Sequence, residues 1–299
     1  MSSPEVPPQL GWRSGSHRDL RRVQAPILET AVLPGDHQRL LLQAPQIAAA
    51  AQPGQFLHIW PHPPDEIDRP PSAALLRRPY SISRLRPPDR LEILLRVRGA
   101  GGRLLAAKAD GDLLDVIGPL GRGFSLRPDL RAAVVIAGGI GLAPVPFLLE
   151  AILARGARAI LLVGAATDDA IPYPVERPRA GRATLPDLAA LGAEVTFVSE
   201  SVEGIVISEV LETRLDEFTG LDADLFAVGP RAMLKHLAEI TQGGLSLQVS
   251  LEERMACGLG ACRSCVVPAR SDDGNAFVTV CRDGPVFYAS EIDWERLEP

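Results

Sequence analysis

All four cysteines of the chain, Cys257, Cys262, Cys265 and Cys281, lie close together near its end, in "ERMACGLGACRSCVV" and "VCRDGPVF". Their spacing is C-x4-C-x2-C, then fifteen residues, then C. Thiols so grouped can form disulfides, bind zinc or hold an iron–sulfur cluster. Nothing in the sequence points to an oxidising compartment, and disulfides are uncommon elsewhere. Structural zinc takes four thiolates in a closed tetrahedron, usually from two separate C-x2-C-like pairs. Here three ligands come from one loop and a fourth from a distance, the plant-type arrangement of a [2Fe–2S] cluster. Small Ala256, Gly258, Gly260 and Ala261 let the backbone wrap closely and turn N–H groups toward sulfur. The spacing favours the cluster, with zinc as the alternative.

A second group of residues suits a flavin. "RRPYSIS" contains Arg78, Pro79, Tyr80 and Ser81: a cation for a pyrophosphate, an aromatic face for an isoalloxazine ring and a hydroxyl for its N5. In an extended strand Arg78 and Tyr80 share a face. Taken alone, the tetrapeptide reads equally as an Arg-rich strand with one packed Tyr. It is followed by "LLRVRGAGGRLL", where Gly99, Gly101 and Gly102 open a helix whose N-terminus can receive a phosphate. "GPLGRGF", residues 118–124, adds a glycine loop that is either part of the site or an ordinary turn.

The third group suits a dinucleotide. "VVIAGGIGLAPV" reads as a buried strand, a turn containing Gly138, Gly139 and Gly141, and a helix start near Pro144, the context in which backbone N–H groups approach a pyrophosphate. After "LLVGAATDD", Asp168 and Asp169 are placed to bond a free ribose 2′-hydroxyl and to repel a 2′-phosphate. That favours NAD over NADP, with Arg177, Arg179 and Arg182 nearby as the opposing signal; a solvated loop is the plain alternative.

Other residues carry no such pattern. His17, His37, His58, His62 and His236 are dispersed, and Pro61 and Pro63 exclude a helix that would set His58 above His62. Trp60 and Trp294 read as packing residues. No Ser/His/Asp order with a nucleophile elbow and no acid pair suggests a hydrolase.

Around these groups the chain of 299 residues has the composition of a soluble globular protein, 46% hydrophobic and 23% charged. A net charge of −6 gives no reason to expect nucleic acid or an anionic membrane as partner. The uncharged run from Ala132 to Leu149 approaches spanning length, but its central glycines and prolines mark a strand, a turn and a helix start. Residues 1–23 lack an apolar signal region and read as a tail, which implies a cytoplasmic protein. Residues 24–127 alternate short strands with Pro/Gly turns, predicting an antiparallel barrel interrupted by a proline-rich surface loop at 61–75. Residues 128–243 alternate strand and helix, predicting an α/β domain with a parallel sheet, in which "SEVLETRLDEF" is one helix. Residues 244–299 carry the cysteines as a third module. The fold class is therefore multidomain α+β.

The layout of a barrel with R-x-Y-S, an α/β domain and a C-terminal plant-like cysteine motif resembles the ferredoxin-reductase-like flavoproteins. Within them, "CGLGAC..CVV" with "CRDGPVF" looks like the electron-transfer subunits of type B dihydroorotate dehydrogenases, over about residues 24–299. The resemblance implies FAD bound by Arg78, Pro79, Tyr80 and Ser81, lined by Leu94, Leu95 and Arg96, with Gly101 and Gly102 on its pyrophosphate. It implies nicotinamide contacts from Gly138, Gly139 and Gly141 and from Gly229 and Pro230 in "VGPRAML". It implies a [2Fe–2S] cluster on Cys257, Cys262, Cys265 and Cys281. The implied partner is an FMN-containing dihydroorotate dehydrogenase catalytic subunit, two of each in a heterotetramer, with electrons reaching NAD⁺ in pyrimidine biosynthesis. Three departures stand out: Gly102 where the family usually has Thr, Tyr80 where an aliphatic residue is frequent, and no Asp-Gly-Ser stretch within 199–206. Related subunits of sulfhydrogenases and ferredoxin:NADP reductases are the alternative, and a non-catalytic zinc-knuckle scaffold is the alternative of another class.

Overall fold

The computed structural model describes residues 20–62, 76–179, 182–242 and 244–297. Most of the expected tail and of the proline-rich loop lie outside these residues. Among the described residues the first strand begins at Arg21 and takes in the last three residues of the expected tail.

Six antiparallel strands close a barrel in the order β1-β2-β5-β4-β3-β6: β1 (Arg21–Leu33), β2 (His37–Gln43), β3 (Phe56–Trp60), β4 (Arg78–Arg86), β5 (Arg90–Arg96) and β6 (Leu113–Leu120). A short α1 (Pro45–Ala48) and α2 (Gly99–Ala106) fill the connections. Branched residues alternate inward, so Ile27, Leu40, Leu42, Leu57, Ile59, Ile82 and Ile93 form the barrel core. Asp115 of β6 is almost fully buried and accepts bidentate bonds from Arg22 as well as a bond from Arg77. Arg77 also donates to the Asp115 carbonyl at 2.9 Å. The first arginine of "RRPYS" is thus a structural anchor at the entry to β4, which fixes where Arg78 and its successors stand.

The second half is a six-stranded sheet in the order β14-β11-β10-β7-β8-β9. Its strands β7 (Ala132–Gly138), β8 (Arg158–Ala165), β9 (Glu194–Ser199), β10 (Asp224–Val228) and β11 (Leu247–Ser250) are parallel. They are apolar on both faces because helices cover both. Val135, Ala137, Leu161 and Val163 face α3 (Val145–Leu153), whereas Val134, Ile136, Ile160 and Leu162 face the opposite layer. Short α4 (Pro186–Ala189) and α5 (Glu200–Glu203) flank β9. The segment expected as one helix is two, α6 (Ile207–Glu212) and α7 (Leu215–Gly220), interrupted at Thr213 and Arg214; α8 (Arg231–Ile240) follows β10.

The cysteine-bearing block joins the sheet at its edge. Its β11 is the fifth parallel strand, and β14 (Val286–Tyr288) pairs antiparallel with β11 as the sheet's outer edge. Between them β12 (Val266–Pro268) and β13 (Phe277–Thr279) form a small ribbon. Met255, Cys265, Val267, Val280, Cys281 and Trp294 share one continuous core with the sheet and with Phe56 and Leu120 of the barrel. The reason is burial: so short a ribbon has too little apolar surface to stand alone, and it borrows the face of the sheet.

Candidate functional site

Between the barrel and the carboxyl edge of the sheet lies a cleft of about 210 Å³. β4 contributes Pro79, Tyr80 and Ser81 to it, and β5 contributes Leu94, Leu95 and Arg96. The opposite wall comes from the sheet: Ile140 and Ala143 beyond β7, Val228 at the end of β10, and Ser250 to Glu253 at and beyond β11. Met255 and Pro285 of the cysteine segment complete it. Six residues assigned from sequence to a flavin therefore share one wall, and the glycine turn assigned to nicotinamide faces them.

The pairings Leu57↔Tyr80 and Phe56↔Ser81 set these side chains in register. Burial pushes the Tyr80 phenol up to about 12, so it stays a neutral aromatic face. The Nε of Arg96 is buried without a protein partner, an orphaned donor at the cleft wall. Arg78 donates to the carbonyls of Leu76 and Arg77, at 2.9 and 3.3 Å, and lies over the start of α2. A Cβ on Gly101 would sit 3.0 Å from Arg78 Nε, so Gly101 permits the approach of guanidinium to helix. No side chain caps α2, leaving its first N–H groups beside that cation. An aromatic wall, an orphaned donor and a cationic helix start fit a flavin with a pyrophosphate.

At the sheet edge two glycine motifs meet. A Cβ on Gly138 would fall 2.7 Å from Pro230 Cδ, one on Gly141 2.5 Å from the Val228 carbonyl oxygen, and one on Gly229 3.0 Å from Gly138 N. Gly139 takes a positive φ of 56°. The motifs at 138–141 and 229–230 are thus backbone-to-backbone neighbours at the ends of β7 and β10, which no spacing rule relates. Both members of the acid pair are already hydrogen-bonded. Asp168 is engaged by Arg177, whose Nη2 and Nε donate at 2.6 and 3.1 Å and hold the carboxyl below its usual range. Asp169 accepts from the Thr167 hydroxyl.

The cysteines form two couples. Cys262 N–H donates to Cys257 Sγ at 3.4 Å, and Cys281 N–H donates to Cys265 Sγ at 3.4 Å. Leu259 N–H also reaches Cys257 Sγ at 3.3 Å, and Gly260 N–H ties the couples together by donating to Cys281 Sγ at 3.1 Å. All four thiols are free. The Ser264 hydroxyl and backbone pull the Cys262 thiol down to about 6. Contact with Cys281 lowers Cys265 to about 6 and raises Cys281, as when two thiols share one proton. Among the described residues no three His, Cys, Asp or Glu side chains converge on a single ion. Sulfurs that receive backbone N–H bonds from Leu259, Gly260, Cys262 and Cys281 fit an iron–sulfur cluster, which these four cysteines would hold. Cys262 is exposed while Cys265 and Cys281 are buried.

The loop is shaped by Gly258 and Gly260, with φ of 70° and 80°. Gly258 rests on His58 of β3, where a Cβ would come within 2.6 Å of the ring Nδ1. Arg122 N–H of the 118–124 loop donates to the Gly284 carbonyl at 2.5 Å, joining that loop to "DGPVF". Sequence reasoning passed over His58, Phe56, Ser250 and Glu252. The first two lie in an apolar strand and the others stand at and just beyond the end of β11, so only tertiary packing brings them to the site. Glu252 opens onto the cleft, and the surrounding protein raises its pKa by desolvation.

A six-stranded barrel set against a parallel sheet, with a cleft between them, is the ferredoxin-reductase-like fold. Solved structures agree on the fold. A chain of an NADH-dependent reduced ferredoxin-NADP oxidoreductase superposes with a TM-score of 0.74, covering 92% of this chain and 91% of that one at 23% identity. Ferredoxin-NADP⁺ reductase from Plasmodium falciparum gives 0.59 over 76% and 96% at 15% identity. Residues 252–293 match the iron–sulfur cluster binding domain of dihydroorotate dehydrogenase B. The dihydroorotate dehydrogenase B (NAD(+)) electron transfer subunit of Bacillus cereus (strain Q1) is 35% identical over 258 residues, 85% of this chain and 91% of the relative. That of Bacillus anthracis (strain A0248) matches to the same extent. The chain belongs to the family of dihydroorotate dehydrogenase B electron-transfer subunits.

Proposed function

We infer that the chain receives electrons from the FMN of a dihydroorotate dehydrogenase catalytic subunit and delivers them to NAD⁺, in the pyrimidine biosynthetic oxidation of dihydroorotate to orotate. The observation that carries this reading is the shared cleft, where Pro79, Tyr80 and Ser81, Ile140 of the 138–141 turn, and Met255 and Pro285 of the cysteine segment all contribute wall. When bound, a [2Fe–2S] cluster exchanges single electrons, nicotinamide exchanges hydride, and FAD can do both, so the flavin belongs between them.

Each set of residues has a task. Tyr80 would offer its neutral ring to the isoalloxazine, Ser81 would offer a hydroxyl to the flavin, and Leu94 and Leu95 would exclude water. Arg78 and the start of α2 at Gly101 and Gly102 take the pyrophosphate, while Arg96 supplies its orphaned donor. Gly138, Gly139 and Gly141, with Gly229 and Pro230, leave room for the nicotinamide on the sheet side. Cys257, Cys262, Cys265 and Cys281 hold the cluster, and the exposed Cys262 marks the side from which a partner approaches. The resemblance supports a heterotetramer of two chains of each kind. Four free thiols suit a cytoplasmic location, and among the described residues no helix is long and apolar enough to cross a membrane.

Co-purification with the catalytic subunit, followed by addition of dihydroorotate, tests the reading. NADH should appear in step with orotate, and each chain should carry one FAD, two irons and two sulfides. An intact, fully loaded complex that turns over dihydroorotate with artificial acceptors yet never reduces NAD⁺ would refute it.

A further inference from the structure

The carboxyl ends of β8 and β9 lie side by side, paired to Ala165↔Ser199. Asp168 follows β8 and Glu203 lies in α5, directly after β9. Arg177 stands between the two acids. It binds Asp168 bidentately, donates through Nη1 to Glu203, and lies 5.8 Å from the ring centre of buried Phe197. Glu203 is fixed in turn, because its other oxygen accepts the Ser199 N–H at 2.6 Å. The guanidinium is thus held in place by two carboxylates and an aromatic face.

In parallel dinucleotide-binding sheets the adenosine ribose lies at the end of the strand beside the pyrophosphate-binding one. An acid there takes the 2′-hydroxyl, whereas a nearby Arg accommodates a 2′-phosphate. Both residue types are present here, already bonded to each other. Resting on the reading that this module takes a nicotinamide dinucleotide, we propose that the Asp168–Arg177–Glu203 clamp sets its choice between NAD and NADP. Three of the five guanidinium N–H groups are engaged with carboxylates. A 2′-phosphate would have to compete for them and leave both acids unpaired beside a dianion. A 2′-hydroxyl needs only an acceptor, and a carboxylate already bonded to Arg keeps lone pairs for it. The carboxylates therefore reserve the arginine, and neutralising both releases it to bind phosphate.

The test uses the full-length, FAD- and cluster-loaded chain and measures dissociation constants for NADH and NADPH by calorimetry, with flavin content as the folding control. Wild type should prefer NADH. Asp168→Asn with Glu203→Gln should tighten NADPH by at least about tenfold, the scale of one recovered charge-assisted contact, and adding Arg177→Ala should erase the gain. Asp168→Asn alone, a milder change, should move NADPH in the same direction. The proposal is overturned if wild type binds NADPH as tightly as NADH. It is equally overturned if the flavin-loaded double variant still binds NADH but gains nothing for NADPH. Failure of wild type to bind either dinucleotide would remove the underlying reading along with the proposal.

Discussion

Gly102 shows how one missing side chain is accommodated. It sits in the first turn of α2, buried, at the position where the resemblance implies a threonine hydroxyl. A Cβ there would lie 3.3 Å from the Arg96 carbonyl oxygen, close enough to need a small adjustment but not a rebuilt turn. Gly102→Thr should therefore fold. It should also tighten FAD binding by about three- to tenfold, the worth of one added hydrogen bond of roughly 0.5–1.5 kcal/mol. Fluorescence titration of the flavin-stripped chain measures this. An unchanged affinity would mean that the N–H groups of α2 and the Arg78 guanidinium already satisfy the pyrophosphate. Arg77 and Arg78 make the complementary point: they are adjacent and chemically alike, yet one is spent on Asp115 inside the barrel wall and the other reaches α2.

At the scale of elements, the decisive observation is that β11 and β14 complete the nucleotide-binding sheet. A chain ending at residue 243 would expose the β10 edge and the apolar residues Leu225 and Ala227, which now pack in the common core. Such a truncation should yield an aggregating or flavin-poor protein and not a stable two-module reductase; soluble yield and bound FAD per chain decide it. Sequence pattern made the barrel, the alternating strands and helices and all four cysteines legible, because these depend on local periodicity, turn chemistry and spacing. It set a boundary before β11, because "LSLQVS" is a short strand with no helix after it and its parallel partner lies in another part of the chain. It joined α6 and α7 because the apolar period continues across Thr213 and Arg214. For the site, "RPYS" and the glycine turns were visible as contiguous motifs. The Arg177 clamp was not, since its three residues become neighbours only once β8 and β9 pair.

Across the whole molecule, His58 sits where the barrel meets the cysteine segment. It is fully buried, and burial together with the nearby Arg77 charge lowers its pKa from 6.5 to about 4. The folded state then binds its proton less readily than the unfolded chain. Its contribution to stability is fully present above about pH 6.5 and is lost as pH falls toward 4, by about 2 kcal/mol at pH 5 relative to pH 7. Urea unfolding of the loaded protein at the two pH values, compared with His58→Phe under the same conditions so that acid loss of the cluster cancels, should show a flatter dependence in the variant. An equal fall in both would exclude His58 as the source. The position of β14 also bears on how the protein is made. Chains emerge from the ribosome N-terminus first, and domains generally fold as units in that order. The barrel can close as soon as β6 is out, but the sheet waits for β11 and β14, which follow its other strands in the chain. Those strands bracket the cysteines, so the nascent chain cannot finish its nucleotide-binding half before its cluster ligands have been translated. A chain cut short before β14 would leave the β11 edge unpaired as well as its cysteine segment incomplete.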